Sequence, residues 1–371
     1  MYRAFPRPIK RIVVKVGSSV IATDQMKPRI KHLRSLTRQI STIRSQNIDV
    51  LLVSSGAIVL GMGELNRKNR SLDLASLQAL AAIGQTVLMR KYNELFKKNK
   101  QKCAQVLLTW DDFDDRLRYN NARTTLRTML EWGVIPVINE NDTISTEEIK
   151  FGDNDKLSAL VATLVQADLL VLLSDVEGLY DLKGKERKLF NEIKKITREI
   201  EGAVLGGKNV STVSSAAKKQ MSTGGMVTKL DAVKIATRSK IPCIIANGET
   251  EDVLLRIIKG DRIGTLFVER EEKLLARKHW ISFGAKPKGI VVVDDGAKQA
   301  LLKGGKSLLL PGVVSWEGNF KENDVVIVQD KNRLEIARGI TNYSMVTMTN
   351  TEKKRGQREV IHRDNLIFSE R

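Results

Sequence analysis

The chain is 371 residues long, yet it holds only two cysteines, and aromatic residues make up just 5% of it. Two thiols exclude a disulfide-stapled scaffold. Neither Cys103 nor Cys243 stands at metal-ligand spacing from a partner, so a reduced, cytoplasmic setting is expected. No apolar run reaches the length of a membrane span; the best, ADLLVLLSDV, has the length of a buried strand. The N-terminal MYRAFPRPIK is basic but has no apolar stretch behind it, which argues against a signal peptide. Long internal repeats and low-complexity tracts are also missing. The shortage of aromatics bears on the net charge of +19 as well. Such a charge suggests nucleic acid, but the lysines and arginines are spread along the whole chain and no segment interleaves them with aromatics. A basic proteome, or a field that gathers anionic substrates, is the simpler reading.

What is present is a regular alternation. Apolar runs such as RIVVKV (11–16), DVLLVSSG (49–56), CAQVLLT (103–109), VIPVIN, ADLLVLLSD and IPCIIAN are separated by stretches with helical spacing. Pro28 opens one helical stretch, and Gly133 stops another. Apolar strands without polar alternation, joined by helices, predict an α/β fold: an open, mostly parallel sheet sandwiched by helices over residues 1–268. Residues 269–284, rich in charge, read as a helical linker. From 285 to 371 short β-rich runs with turn signals predict a small β-barrel domain.

An open α/β sheet offers its ligands the carboxyl ends of its strands. Those ends read Lys15-Val16-Gly17-Ser18-Ser19, Ser54-Ser55-Gly56, Asn139-Glu140-Asn141-Asp142 and Ser174-Asp175, all small, polar or charged. The loop FGDNDKLSAL adds Asp153, Asn154 and Asp155 ahead of a helix, where Asp155 could equally serve as a cap. Lys15 lies inside an apolar strand. It is either a snorkelling edge residue or a fixed cation for phosphate, and Gly17 beside it favours the second. TGGMVTK (223–229) has the glycines and lysine of a phosphate loop at a helix start, without the spacing of a P-loop.

In this order VVKVGSS, VSSGAI, VINENDTIS, EIKFGDNDKLSA, LLSDVEGLY and TGGMVTKL resemble the glutamate 5-kinase family of the amino-acid kinase superfamily, and the distal part is similar to a PUA domain. The resemblance implies ATP-dependent phosphorylation of the glutamate side-chain carboxylate, the first step of proline biosynthesis. It implies catalytic roles for Lys15, Lys229 and Asp175, with Lys229 across the site from Lys15 and Asp175 orienting both. Ser55, Asp142, Asn154 and Asp155 would bind glutamate. ATP would contact Lys15, Ser174, Asp175 and the loop Thr223, Gly224, Gly225, Met226, Val227, Thr228 and Lys229. Mg²⁺ would ride mainly on the ATP phosphates, with no protein ligands. Proline as feedback inhibitor, a homo-oligomer and RNA binding by the PUA-like part are further implications. The competing readings are a superfamily member acting on acetylglutamate, aspartate, carbamate or UMP, and an RNA-binding protein with an inactive kinase half.

Overall fold

The computed structural model describes residues 3, 5–67, 72–144, 154–181, 188–197, 200, 225–268, 287–350 and 358–368. The chain divides into two compact units, one built from most of residues 1–273 and the other chiefly from 274 onward.

In the first unit, β1 (Arg11–Val16) leads through a one-turn helix α1 (Ser18–Ile21) to α2 (Ile30–Arg44) and β2 (Asp49–Ser54). Then come α3 (Ala57–Glu64), the long α4 (Leu74–Lys98), β3 (Lys102–Leu108), the short α5 (Asp111–Asp114), α6 (Arg116–Glu131) and β4 (Val134–Glu140). After these come α7 (Asn154–Leu164), β5 (Leu169–Ser174), the short β6 (Tyr180–Asp181), β7 (Lys188–Leu189) and β8 (Glu192–Ile193), α8 (Met226–Arg238), β9 (Cys243–Asn247), α9 (Val253–Lys259) and β10 (Thr265–Phe267). The main sheet runs β3-β4-β2-β1-β5-β9-β10-β8. Its first six strands are parallel, and β10 turns antiparallel to β9.

The pattern of burial explains the unbroken apolar strands. β1, β2 and β5 are flanked by strands on both sides and covered by helices on both faces, so almost every residue is buried. The edge strand β3 stays half exposed. Alternate residues of β1 (Ile12, Val14, Val16) join a core with Leu33, Leu36 and Ile40 of α2 and Leu88 of α4. The intervening residues, Lys15 among them, face the other side, where α7 packs on β1. Lys15 pairs with Val53 on one neighbour and Leu172 on the other, so its strand is central and the edge alternative is excluded. Pro28 precedes α2 by two residues, and Gly133 (φ +73°) ends the α6 segment as its position predicts.

The second unit has a five-stranded sheet ordered β12-β11-β13-β14-β15, made of β11 (Gly289–Val293), β12 (Val313–Gly318), β13 (Val325–Gln329), β14 (Glu335–Ile340) and β15 (Leu366–Phe368). β11 and β13 are parallel and the remaining pairs antiparallel. Helix α10 (Asp295–Gly304) contributes Leu301 to a core with Val291, Phe320, Val326 and Val328. The charged connector expected over 269–284 lies outside the described residues.

One contact in the first unit has no slack. Helices α3 and α4 cross at Gly61 and Gly84, where a Cβ on Gly84 would stand 1.7 Å from the Ala57 carbonyl oxygen and 2.5 Å from the Gly61 nitrogen. Backbone cannot yield at such distances without parting the helices. Gly84→Ala is therefore expected to destabilise the unit by about 3 kcal/mol, the upper part of the overpacking range, measured by chemical denaturation. A stability equal to wild type would show that the helices do not touch there.

Candidate active site

The carboxyl ends of the parallel strands gather around one buried carboxylate. Asn154 and Asp155 form the first turn of α7, and Asp155 is completely buried. Lys15 Nζ, from the end of β1, lies 2.7 Å from Asp155 Oδ1. Lys229 Nζ, from the first turn of α8, lies 3.4 Å from Oδ2. Thr228 Oγ1 donates to the same Oδ2 at 2.9 Å. Both lysines are themselves only 4% exposed. Burial opposes ionisation of Asp155, but the two ammonium groups more than offset it and hold the carboxyl below its ordinary range. Burial pulls Lys229 below the usual lysine value, with Asp155 acting against that pull. Two cations thus share one carboxylate out of contact with bulk water.

Asp155, grouped by sequence with the glutamate-binding residues, sits between the lysines and contacts both. Lys15 and Lys229 converge on it from two elements. Asp175, expected to orient the lysines, is exposed and accepts a hydrogen bond from Ser174 Oγ at 2.9 Å; it acts on Lys229 only through its field. Ser174 is buried at the end of β5, where its carbonyl accepts from the Gly248 N–H. Of the TGGMVTK loop, Gly225 caps α8 and Met226 and Val227 lie half-buried in its first turn; Thr223, Gly224 and Asp153 lie outside the described residues. A Cβ at Gly17 would lie 3.8 Å from Lys15 Nζ, so glycine there keeps the space beside the ammonium open.

A second cluster adjoins the first. Asn154 Nδ2 donates to Ser55 Oγ (3.1 Å) and to Asn139 Oδ1 (2.9 Å). Ser55 follows β2, where the chain turns into α3 through Gly56 at φ +102°. Asn154 Oδ1 is buried and has no hydrogen-bond partner among the described residues. Such an orphan acceptor points to a missing donor. Asp142, half-buried beyond β4, supplies a second acceptor, and burial pushes its carboxyl up to about 6. Sequence reasoning missed what supports this cluster: Gln85 and Tyr92, one heptad apart on the buried face of α4. Tyr92 OH lies 2.9 Å from Ser54 Oγ, and Gln85 Oε1 accepts from Asn139 Nδ2 at 2.9 Å. Two hydrogen-bonding side chains on an otherwise apolar helix face were the available signal.

Asp142 bears on stability with a definite sign. A carboxyl whose folded pKa lies above its unfolded value holds its proton longer when folded, so stability falls as pH rises through the window from about 4 to about 6. Asp142→Asn is expected to melt higher than wild type at pH 7.5, and the gap should close as pH falls below 4. A thermal melt of both proteins across that range checks it. Equal melting temperatures at pH 7.5 would remove the buried carboxylate from the account.

The amino acid kinase family model matches residues 10–247, and the PUA domain model matches residues 289–362. A glutamate 5-kinase from Caldanaerobacter subterraneus subsp. tengcongensis is 44% identical, covering 97% of this chain and 98% of its own. One from Dictyoglomus thermophilum is 45% identical over 98% of each chain. One from Geobacter metallireducens is 43% identical over 99% of this chain and all of its own length.

Proposed function

The chain belongs to the glutamate 5-kinase branch of the amino acid kinase family, and we propose that its γ-phosphoryl transfer from ATP to the side-chain carboxylate of L-glutamate takes place at the two lysines held by Asp155. The product is glutamyl 5-phosphate, and the reaction is the first step of proline biosynthesis. The observation that carries the assignment of the site is the pair of buried ammonium groups on one carboxylate. Nucleophile and electrophile are both anions, so the barrier is largely their mutual repulsion and the charge that develops between them. Fixed cations in a site shielded from water offset that charge without reorganising. Asp155 keeps the two lysines aimed and prevents either from folding back on the other.

Glutamate would dock beside them. Its α-ammonium supplies the donor that Asn154 Oδ1 lacks and the cation that an ionised Asp142 favours, with Ser55 adjoining. Its side-chain carboxylate, with an ordinary pKa of about 4.3, is ionised at neutral pH, so no general base is needed. Gly225 to Lys229, at the start of the 13-residue α8, offer the nucleotide phosphates backbone N–H groups and a helix N-terminus. A divalent metal accompanies ATP in such a transfer. We infer that it is Mg²⁺, entering as part of the nucleotide substrate. Proline shares the α-amino and α-carboxylate groups of glutamate, and we place it as an inhibitor in the same cluster.

RNA is the ligand that a PUA domain suggests. The charge distribution weighs against a strong electrostatic contribution from it: residues 288–371 hold 14 Lys/Arg against 11 Asp/Glu, only +3 of the chain's +19.

With ATP, Mg²⁺ and L-glutamate, the protein is expected to form an acyl phosphate that hydroxylamine traps as a hydroxamate. Lys229→Ala should slow trapping by about a hundredfold or more, through loss of a fixed cation from a dry site. Lys229→Arg should recover little, because a planar guanidinium does not put its charge where a compact ammonium does. Trapping with aspartate or N-acetylglutamate but not glutamate would overturn the substrate assignment.

A further inference from the structure

The amides around Asn154 form a chain with one polarity. Asn139 Oδ1 accepts from the backbone N–H of Glu140 at 2.9 Å, and a backbone N–H cannot turn into an acceptor. That bond fixes the orientation of the Asn139 amide, which distance alone would leave ambiguous. Its Nδ2 must then point toward α4, where Gln85 Oε1 receives it at 2.9 Å, while Gln85 Nε2 donates onward to Gln105 Oε1 on the edge strand at 3.2 Å. On the other side Asn139 Oδ1 also takes Asn154 Nδ2 at 2.9 Å. Asn154 therefore cannot flip, since its carbonyl would face the Asn139 carbonyl. Each amide nitrogen donates inside the chain or to Ser55, and the carbonyl left over is Asn154 Oδ1, buried and without a partner among the described residues.

We propose that Gln85, which lies outside the substrate cluster, is a positioning residue that sets amino-acid recognition: by holding Asn139 it forces Asn154 to present an acceptor to the α-ammonium of glutamate. The inference rests on the glutamate kinase reading above. Gln85 is buried on the same face of α4 as Tyr92, next to Gly84, where α4 meets α3. Its anchor is therefore among the stiffest parts of the unit. Without the Gln85 carbonyl, the Asn139 amide group loses its buried acceptor, and the energy difference that fixes the orientation of both asparagines shrinks. The part of the substrate affected is the ammonium end. The lysines, Asp155 and the nucleotide loop are not linked through this chain.

The test uses the full-length protein. In Gln85→Met, which keeps the volume and removes the acceptor, the KM for L-glutamate should rise about tenfold or more while the KM for ATP stays within about twofold. Gln85→Glu, which still offers an oxygen to Asn139, should stay within about threefold of wild type for both. Gln105 is exposed and can turn its amide to suit. Glutarate, which lacks the α-amino group, provides the readout that a general loss of packing would not give: its inhibition constant should barely change in Gln85→Met. If that variant does not fold, Gln85→Asn, which withdraws the carbonyl by one methylene, should raise the glutamate KM about threefold or more. Unchanged glutamate KM in folded Gln85→Met or Gln85→Asn, or glutarate and glutamate weakened alike, would overturn the inference. A wild-type protein that does not phosphorylate glutamate would instead overturn the reading on which it rests.

Discussion

Two buried ammonium groups sharing one buried carboxylate is the constraint around which the first unit is organised. Each of these charges alone would be costly to remove from water, and an unpartnered one would cost several kcal/mol. Together they are tolerable only if Asp155 sits between Lys15 and Lys229, so β1, α7 and α8 must converge at one point. The parallel order β2-β1-β5 makes that convergence available. Crossover connections start each following helix at the edge where the preceding strand ends.

The neighbouring amide cluster depends on a different material. Its amide and hydroxyl members are neutral, so their energies are smaller, but they are directional, and direction is what the proposed amino-acid recognition would require. Helix α4 supplies it from behind the strand ends, through Gln85 and Tyr92, and the glycine crossing with α3 keeps the helix close enough for both to reach. The site thus separates its tasks. Charge is stored on the β1, α7 and α8 side, and orientation is held on the β2, β4 and α4 side.

Much of this could be read from the residues. The unbroken apolar strands gave the sheet, and the polar strand ends marked the edge where Lys15, Asp155 and Lys229 meet. Lys15 stood out because a lysine inside a strand of Ile and Val has no ordinary reason to be there. Where the reading fell short, local and tertiary roles look alike in a sequence. Asp155 at a helix start has the position of a common cap, and nothing nearby in sequence tells of two lysines, one 140 positions before it and one 74 after. Asp175 attracted attention because it follows a strand end, and its exposure could not be read from that position. Gln85 was hidden by its setting: one glutamine in a 25-residue helix is unremarkable until its neighbour across the sheet is known.

Asn154 and Asp155 are consecutive residues, a fact with a consequence for substrate choice. If Asn154 receives the ammonium while Asp155 aims the cations of the transfer, the two ends of the amino acid are gauged by groups whose Cα atoms are one peptide unit, about 3.8 Å, apart. A helical turn has no hinge between adjacent residues, so this gauge cannot stretch to follow a shorter or longer acid. A dicarboxylic amino acid with one methylene fewer could satisfy either end but would fall short at the other. Carbon-chain length would then be measured by a covalent bond, the least deformable ruler that a protein possesses.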